Sequence, residues 1–145
     1  MDPDDNEAWN FSKNEKRDKA MRKLKQDEPL MLIVSPMCGA FSQLQSLFNY
    51  PKQEHEHVER QLKDAMEHVK FSLEMCLEQY VKGRLFLFEH PAGAASWSMQ
   101  AMQQMKLLEG VFATKFDFCM LGMKTTDSRG NTTAARKKTI VMTNS

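Results

Sequence analysis

Three residues with side chains capable of chemistry, Cys38, Glu89 and Asp117, each come just after a short apolar run. A thiolate is a nucleophile, and a carboxylate can hold hydrogen-bond donors or stabilise developing charge. If the three runs are parallel strands, their carboxyl ends meet at one edge of the sheet, where open α/β sheets bind ligands. The alternative is that strand ends carry polar residues because an apolar run has to stop, and topology alone favours this second interpretation.

The run at residues 30–34 predicts a strand buried on both faces, because it is short, apolar and bounded by prolines. Pro36 and Gly39 then favour a tight turn around Cys38. Further strands are predicted at 84–88, 111–116 and 139–143, and helices at 12–27, 41–48, 53–81 and 96–110. Strands that alternate with helices indicate an α/β fold with a mostly parallel sheet and helices on both faces.

The composition and the spacing of cysteines and histidines argue against several kinds of site, but they do not identify the function. The net charge is +1, and the three cysteines are widely separated with no C-x-x-C pair, which argues against disulfides and zinc knuckles. His57 and His68 share a helix face but are eleven residues, or about 16 Å, apart, so no metal site is predicted. Cys76 lies in the apolar stripe of the long helix and is expected to be buried.

The N-terminal residues 1–11 are acidic and are expected to be mobile, and residues 12–145 are expected to form one α/β domain. The chain has no targeting signal and no apolar run long enough to span a membrane, which predicts a soluble, intracellular protein of the cytoplasm or nucleus without a membrane partner. Residues 123–135 are polar and predict an exposed loop before the basic group Arg136, Lys137 and Lys138.

Three motifs resemble those of the cytosine-5 DNA methyltransferases. S-P-M-C-x-x-F-S, around Cys38, is similar to the P-P-C-x-x-F-S motif of that family, with Met37 in place of its second proline. F-L-F-E-H-P resembles the element that carries E-N-V, with His90 and Pro91 replacing Asn and Val. Gly122 followed by K-K-T-I-V-M-T-N resembles the G…K-K-P-T…T-N ending of some viral and phage members, so the similarity spans residues 30–144 in the family's order.

The resemblance implies roles for particular residues. Cys38 would be the catalytic nucleophile that adds to C6 of a flipped cytosine, and Glu89 would hold N3 and the exocyclic amine of that base. The substrate-binding residues would be Ser35, Pro36, Phe41, Ser42, Arg136, Lys137 and Lys138. The three basic residues would contact DNA phosphates, although a basic strand flank can also be merely solvated.

The family uses S-adenosylmethionine, which binds a glycine-rich turn in the sheet half before the cysteine motif. Only 29 residues precede Leu30 here, and they contain no glycine. The resemblance therefore covers part of a Rossmann-like sheet, and we expect little or no S-adenosylmethionine binding by the chain alone. The expected function is a truncated or degenerate methyltransferase-like domain, inactive unless another chain or domain completes it. The alternative is a non-catalytic α/β interaction module, or a relic domain of a larger mobile-element or viral polyprotein.

Overall fold

The computed structural model describes residues 2, 6–7, 9–41 and 55–145. The α-helices are α1 (Asn14–Asp27), α2 (His55–Val81) and α3 (Gln100–Lys106). The strands are β1 (Met31–Val34), β2 (Leu85–Pro91), β3 (Phe112–Asp117), β4 (Lys124–Thr126), β5 (Thr132–Ala134) and β6 (Lys138–Thr143). Short 3₁₀ turns occupy Gly39–Phe41, Ala95–Ser98 and Phe118–Leu121.

Four strands form one sheet in the order β1-β2-β6-β3. The predictions that the first three strands share a sheet, and that β1 and β2 are parallel, are confirmed, with Val34 beside Phe88. β6 runs antiparallel to both β2 and β3, so β1, β2 and β3 point in one direction and end at the same edge. The fold is α/β, but the prediction of a mostly parallel sheet is wrong. One strand pair is parallel and two are antiparallel, because the reversed β6 lies between β2 and β3.

The two faces of the sheet differ. Phe86, Phe88 and His90 alternate along β2, are fully buried, and lie on the face that α2 crosses, which we call the covered face. The opposite, open face carries Ile33 and Phe112, which are 68% and 57% exposed. α1 and α3 pack against α2. The expectation of helices on both faces is thus wrong for the described part of the chain.

A buried amide ties the first two strands together. Gln79, near the end of α2, donates from Nε2 to the carbonyls of Pro29 and Leu85, at 2.9 and 3.1 Å, and accepts from Arg84 Nε at 2.7 Å. At the other end of the chain, Asn144 Oδ1 accepts from the Phe86 amide at 2.8 Å. The T-N ending therefore has a structural role, closing the C-terminus onto β2.

Several element boundaries differ from the predicted ones. α1 begins at Asn14 and not at Ser12, whose hydroxyl lies 3.1 Å from His68 Nε2. β2 continues to Pro91, so Glu89 lies inside a strand and not after it. The single helix expected at 96–110 is a 3₁₀ turn followed by the seven-residue α3.

The polar loop and the turn after Cys38 also differ from their predicted structures. The loop expected at 123–135 contains the β4–β5 hairpin. Of the helix predicted at 41–48, only Phe41 lies among the described residues, where it ends a 3₁₀ turn. Cys76 is fully buried, as predicted.

Among the helices that the structure describes, none is long and apolar enough to cross a membrane.

Candidate functional site

The segment that leads from β1 to Cys38 forms a side-chain hydrogen bond with Glu89. Because Val34 pairs with Phe88 in the parallel register, the next residues, Ser35 and Glu89, emerge side by side at the carboxyl edge of the sheet. Ser35 Oγ donates a hydrogen bond to Glu89 Oε2. The structure thus brings two of the predicted site residues into contact, and it places Cys38 three residues beyond that contact.

Cys38 lies in a tight turn, as predicted, although Gly39 does not adopt the positive φ for which a glycine would be needed. Its carbonyl accepts a hydrogen bond from the Phe41 amide at 3.0 Å, and its side chain is half-buried. Pro36 is also half-buried, and Ser35 is exposed. Ser42 lies outside the described residues.

Phe41 packs inward from this turn. It is buried, and its ring meets the His90 ring edge to face, with 5.6 Å between centroids. This contact packs the cysteine turn against the covered face of the sheet and so stabilises the turn.

Glu89 points to the open face and is mostly shielded, with 16% of its side chain exposed. Its Oε1 atom is buried, has no hydrogen-bond partner in the described part of the chain, and lies 3.9 Å from Lys137 Nζ. Lys137 also lies over the Phe118 ring, 5.2 Å from its centroid. One carboxylate oxygen is therefore occupied by Ser35, and the other is an acceptor beside a cation.

His90 is a site residue that the sequence analysis noted only as a replacement for Asn. It lies on the covered face between Phe41 and Phe88, and neither ring nitrogen has a hydrogen-bond partner among the described residues. Burial lowers the pKa of His90 to about 4, although the negative charge of Glu89 opposes this shift. The strict alternation of F-L-F-E-H-P could have predicted this burial, since it puts His90 on the face of Phe86 and Phe88.

The other predicted residues surround this edge. Asp117 ends β3 beside Lys138 in the register, and its Oδ1 atom is buried without a hydrogen bond in the described structure. Arg136 and Lys138 are exposed, one on each side of Lys137. The carboxyl ends that carry Cys38, Glu89 and Asp117 thus share one edge, although β6 separates β3 from β2.

This arrangement offers a half-buried thiol, a shielded carboxylate with one unbonded oxygen, and a flanking cation at the carboxyl edge of the sheet. A flat heterocycle with a donor edge matches the unbonded carboxylate oxygen, and an electrophilic ring carbon matches the thiol. Comparison of the chain with protein-family models, curated proteins and solved structures gives no match.

Proposed function

We propose that this chain is the catalytic half of a cytosine-5 DNA methyltransferase-like domain, and that its sheet is part of a Rossmann-like sheet. One observation carries the proposal: Cys38 follows β1, Glu89 lies near the carboxyl end of the adjacent parallel strand β2, and Ser35 joins the two segments by a hydrogen bond to Glu89. That pairing gives physical support to two motifs which the resemblance linked only by their order.

In this proposal the Cys38 thiolate adds to C6 of a cytosine that has left the base stack. The S–C6 bond forms, and the electron pair of the C5=C6 bond makes C5 a nucleophile. Glu89 holds the N3 edge and the exocyclic amine of the base, and so stabilises the charge that develops as the adduct forms. Its Oε1 atom accepts no hydrogen bond in the described structure and so keeps the capacity to accept one, although the side chains that cover it must move for a base to reach it.

The residues described here do not fit S-adenosylmethionine. No glycine occurs before Gly39, and residues 14–27 of that stretch are helical. We propose that a further segment or another chain supplies the cofactor half and pairs with β1. β1 is an edge strand, and its exposed Met31 and Ile33 extend the apolar open face that a completing half would cover.

Hydrogen exchange at cytosine C5 tests the nucleophile without any methyl donor. After addition of Cys38, C5 takes up a deuteron from heavy water; loss of the original proton then restores C5=C6 and expels the thiolate. The chain alone cannot transfer a methyl group without its completing half, but the addition step needs no methyl donor. We therefore expect deuterium in the cytosines of duplex DNA incubated with the chain, measured by mass spectrometry of the nucleosides. Cys38→Ala and Glu89→Gln should abolish this exchange, and Cys119→Ala should not. Bound DNA without exchange, or exchange that survives Cys38→Ala, would contradict the proposal.

Alkylation by iodoacetamide gives a second test that needs no substrate. Cys38 is half-buried in a turn, whereas burial raises the pKa of the Cys76 thiol to about 12. We expect Cys38 to label first, Cys119 next and Cys76 last, as read by peptide mass spectrometry. Equal labelling of Cys38 and Cys76 in the folded protein would remove the case for a reactive thiol.

Calorimetry tests the need for a completing half. The chain alone should bind S-adenosylmethionine weakly or not at all, because its described residues build no glycine-rich turn for it. Micromolar affinity of the chain alone would show that these residues form a cofactor site after all.

An interaction module is the second candidate function, and one observation favours it. A groove of about 740 Å³ lies between α2 and α3, away from Cys38 and Glu89. Its lining is rich in flexible methionines, including Met66, Met99 and Met105, which adapt to varied partners. Absence of C5 exchange while DNA still binds would favour this interaction module over the methyltransferase-like domain.

A further inference from the structure

The basic residues of the chain are unevenly distributed. Residues 111–145 contain six lysines and arginines but only two acidic residues, whereas the preceding 110 residues contain 14 basic and 17 acidic ones. The near-neutral total therefore conceals a positive C-terminal region. A local positive field of this kind attracts polyanions even when the net charge is small.

The centre of this region is the β4–β5 hairpin. Every residue from 124 to 134 is exposed, and the only apolar side chain among them is that of Ala134. A hairpin that buries no apolar surface adds little to the stability of the fold, so its exposed composition points to a surface role. Its strands display threonines in pairs, with Thr126 Oγ1 3.4 Å from Thr132 Oγ1. Hydroxyl groups of this kind often contact phosphate oxygens.

The hairpin tip is built to display a cation. Asp127 Oδ1 accepts hydrogen bonds from the amides of Arg129 and Asn131, both at 2.9 Å, and these bonds, led by the one from Asn131, lower the pKa of Asp127. The only carboxylate of the hairpin is thus engaged by its own turn. Within the described structure, Lys124, Arg129 and Arg136 are exposed and form no ion pair with a carboxylate.

The base of the hairpin is connected to the candidate site. The Ala135 amide donates to the Met123 carbonyl at 3.0 Å, and the Phe118 amide donates to the Lys137 carbonyl at 3.1 Å. Lys137 in turn faces Glu89. A polyanion that lies along the hairpin would therefore pass beside the edge that carries Glu89.

We infer that the β4–β5 hairpin is a DNA-binding ribbon, in which Lys124, Arg129 and Arg136 contact phosphates of a B-form duplex. The major groove of B-DNA admits a two-stranded β-ribbon, whereas the deep, narrow groove of A-form RNA does not. The inference rests on the proposed function for its choice of DNA, but the binding itself does not require the Cys38 reaction.

Fluorescence anisotropy of the full chain with a labelled DNA duplex, over a series of salt concentrations, tests this inference. A variant with Lys124→Gln, Arg129→Gln and Arg136→Gln should bind more weakly. Its plot of log affinity against log salt should be shallower by about 0.9 for each phosphate that the variant no longer neutralises. The matched control removes the same charge elsewhere through Arg22→Gln, Lys63→Gln and Lys82→Gln, which are exposed positions outside the hairpin. This control should keep the parent slope.

Equal weakening in the two triple variants would show that only net charge matters, and an unchanged hairpin variant would show that the hairpin does not touch the DNA; either result overturns the inference. Equally tight binding to duplex RNA would overturn the assignment to a B-form groove. Circular dichroism melting should give the same Tm for the hairpin variant and the parent, since all three residues are exposed. The anisotropy measurement requires no reaction at Cys38, so binding without C5 exchange and exchange without the hairpin contact are distinguishable outcomes.

Discussion

The two faces of β2 are built from one strand but have different roles. Phe86 and Phe88 on the covered face are fully buried under α2, whereas Leu85 and Leu87 on the open face keep part of their surface exposed. The covered face therefore supplies the apolar burial that stabilises the fold. The open face contributes less to stability and carries Glu89, together with an apolar surface available to a partner. Variants that separate these two contributions can break or sharpen this comparison.

The largest expected effect is that of a Phe88→Ala substitution on the covered face. Phe88 is fully buried and packs edge to face against Trp97, with ring centroids 5.8 Å apart. Removal of the ring should lower the free energy of unfolding by about 3–5 kcal/mol, as measured by urea denaturation.

The matched control for that substitution is Ile33→Ala on the open face. Ile33 is 68% exposed, so the free energy of unfolding should change by no more than about 0.5 kcal/mol. Similar destabilisation by the two variants would mean that a partner or a second copy covers the open face in solution.

His90 should make the covered face sensitive to acid. Its pKa is about 4 in the folded protein and is 6.5 for an unperturbed histidine. Between these values the unfolded chain binds more protons, so the free energy of unfolding rises with pH. The contribution is complete above pH 6.5 and is lost as the pH falls towards 4; its size is on the order of 3 kcal/mol. Urea denaturation between pH 4 and 7.5 measures it.

Two controls assign that pH dependence to His90. His90→Phe should flatten the profile, and His57→Gln should leave it unchanged because His57 is exposed. An NMR titration of the His90 ring with a midpoint near 6.5 would contradict the expected burial of a neutral imidazole.

A smaller effect is expected at Gln79, which ties β1 to β2 at the amino ends of these strands. Gln79→Ala would leave the half-buried carbonyls of Pro29 and Leu85 without this donor, which should lower the free energy of unfolding by about 1–3 kcal/mol. The control is Gln61→Ala, which should be close to neutral because the Gln61 side chain bonds the exposed His57. Equal costs for both would show that the buried tie contributes nothing beyond helix propensity.

The smallest effect on stability is expected from Ser35→Ala. Ser35 is exposed, so removal of its hydrogen bond to Glu89 should lower the free energy of unfolding by no more than about 1 kcal/mol. In contrast, C5 exchange should fall, because Glu89 would lose the hydrogen bond that holds it beside the cysteine turn. Unchanged exchange in the alanine variant would mean that Ser35 does not position Glu89.

Much of the local structure could be predicted from patterns of a few residues. Apolar and alternating patterns predicted β1, β2, β3 and β6 to within three residues at each end, because the runs are short, rich in β-branched and aromatic residues, and flanked by turn residues. The β4–β5 hairpin was missed since its strands have no apolar face. The sequence does carry a turn signal for this hairpin, the D-S-R-G-N of residues 127–131 between paired threonines.

The sequence by itself determined the parallel start of the sheet, the turn at Cys38 and the burial of Cys76, because each depends on neighbouring residues and their periodicity. Only the tertiary structure decided that β6 lies reversed between β2 and β3, and that one face stays open. It also decided that Ser35 and Lys137 both meet Glu89. These features depend on contacts between residues far apart in the chain, and local patterns carry no information about which distant strand will pair with which.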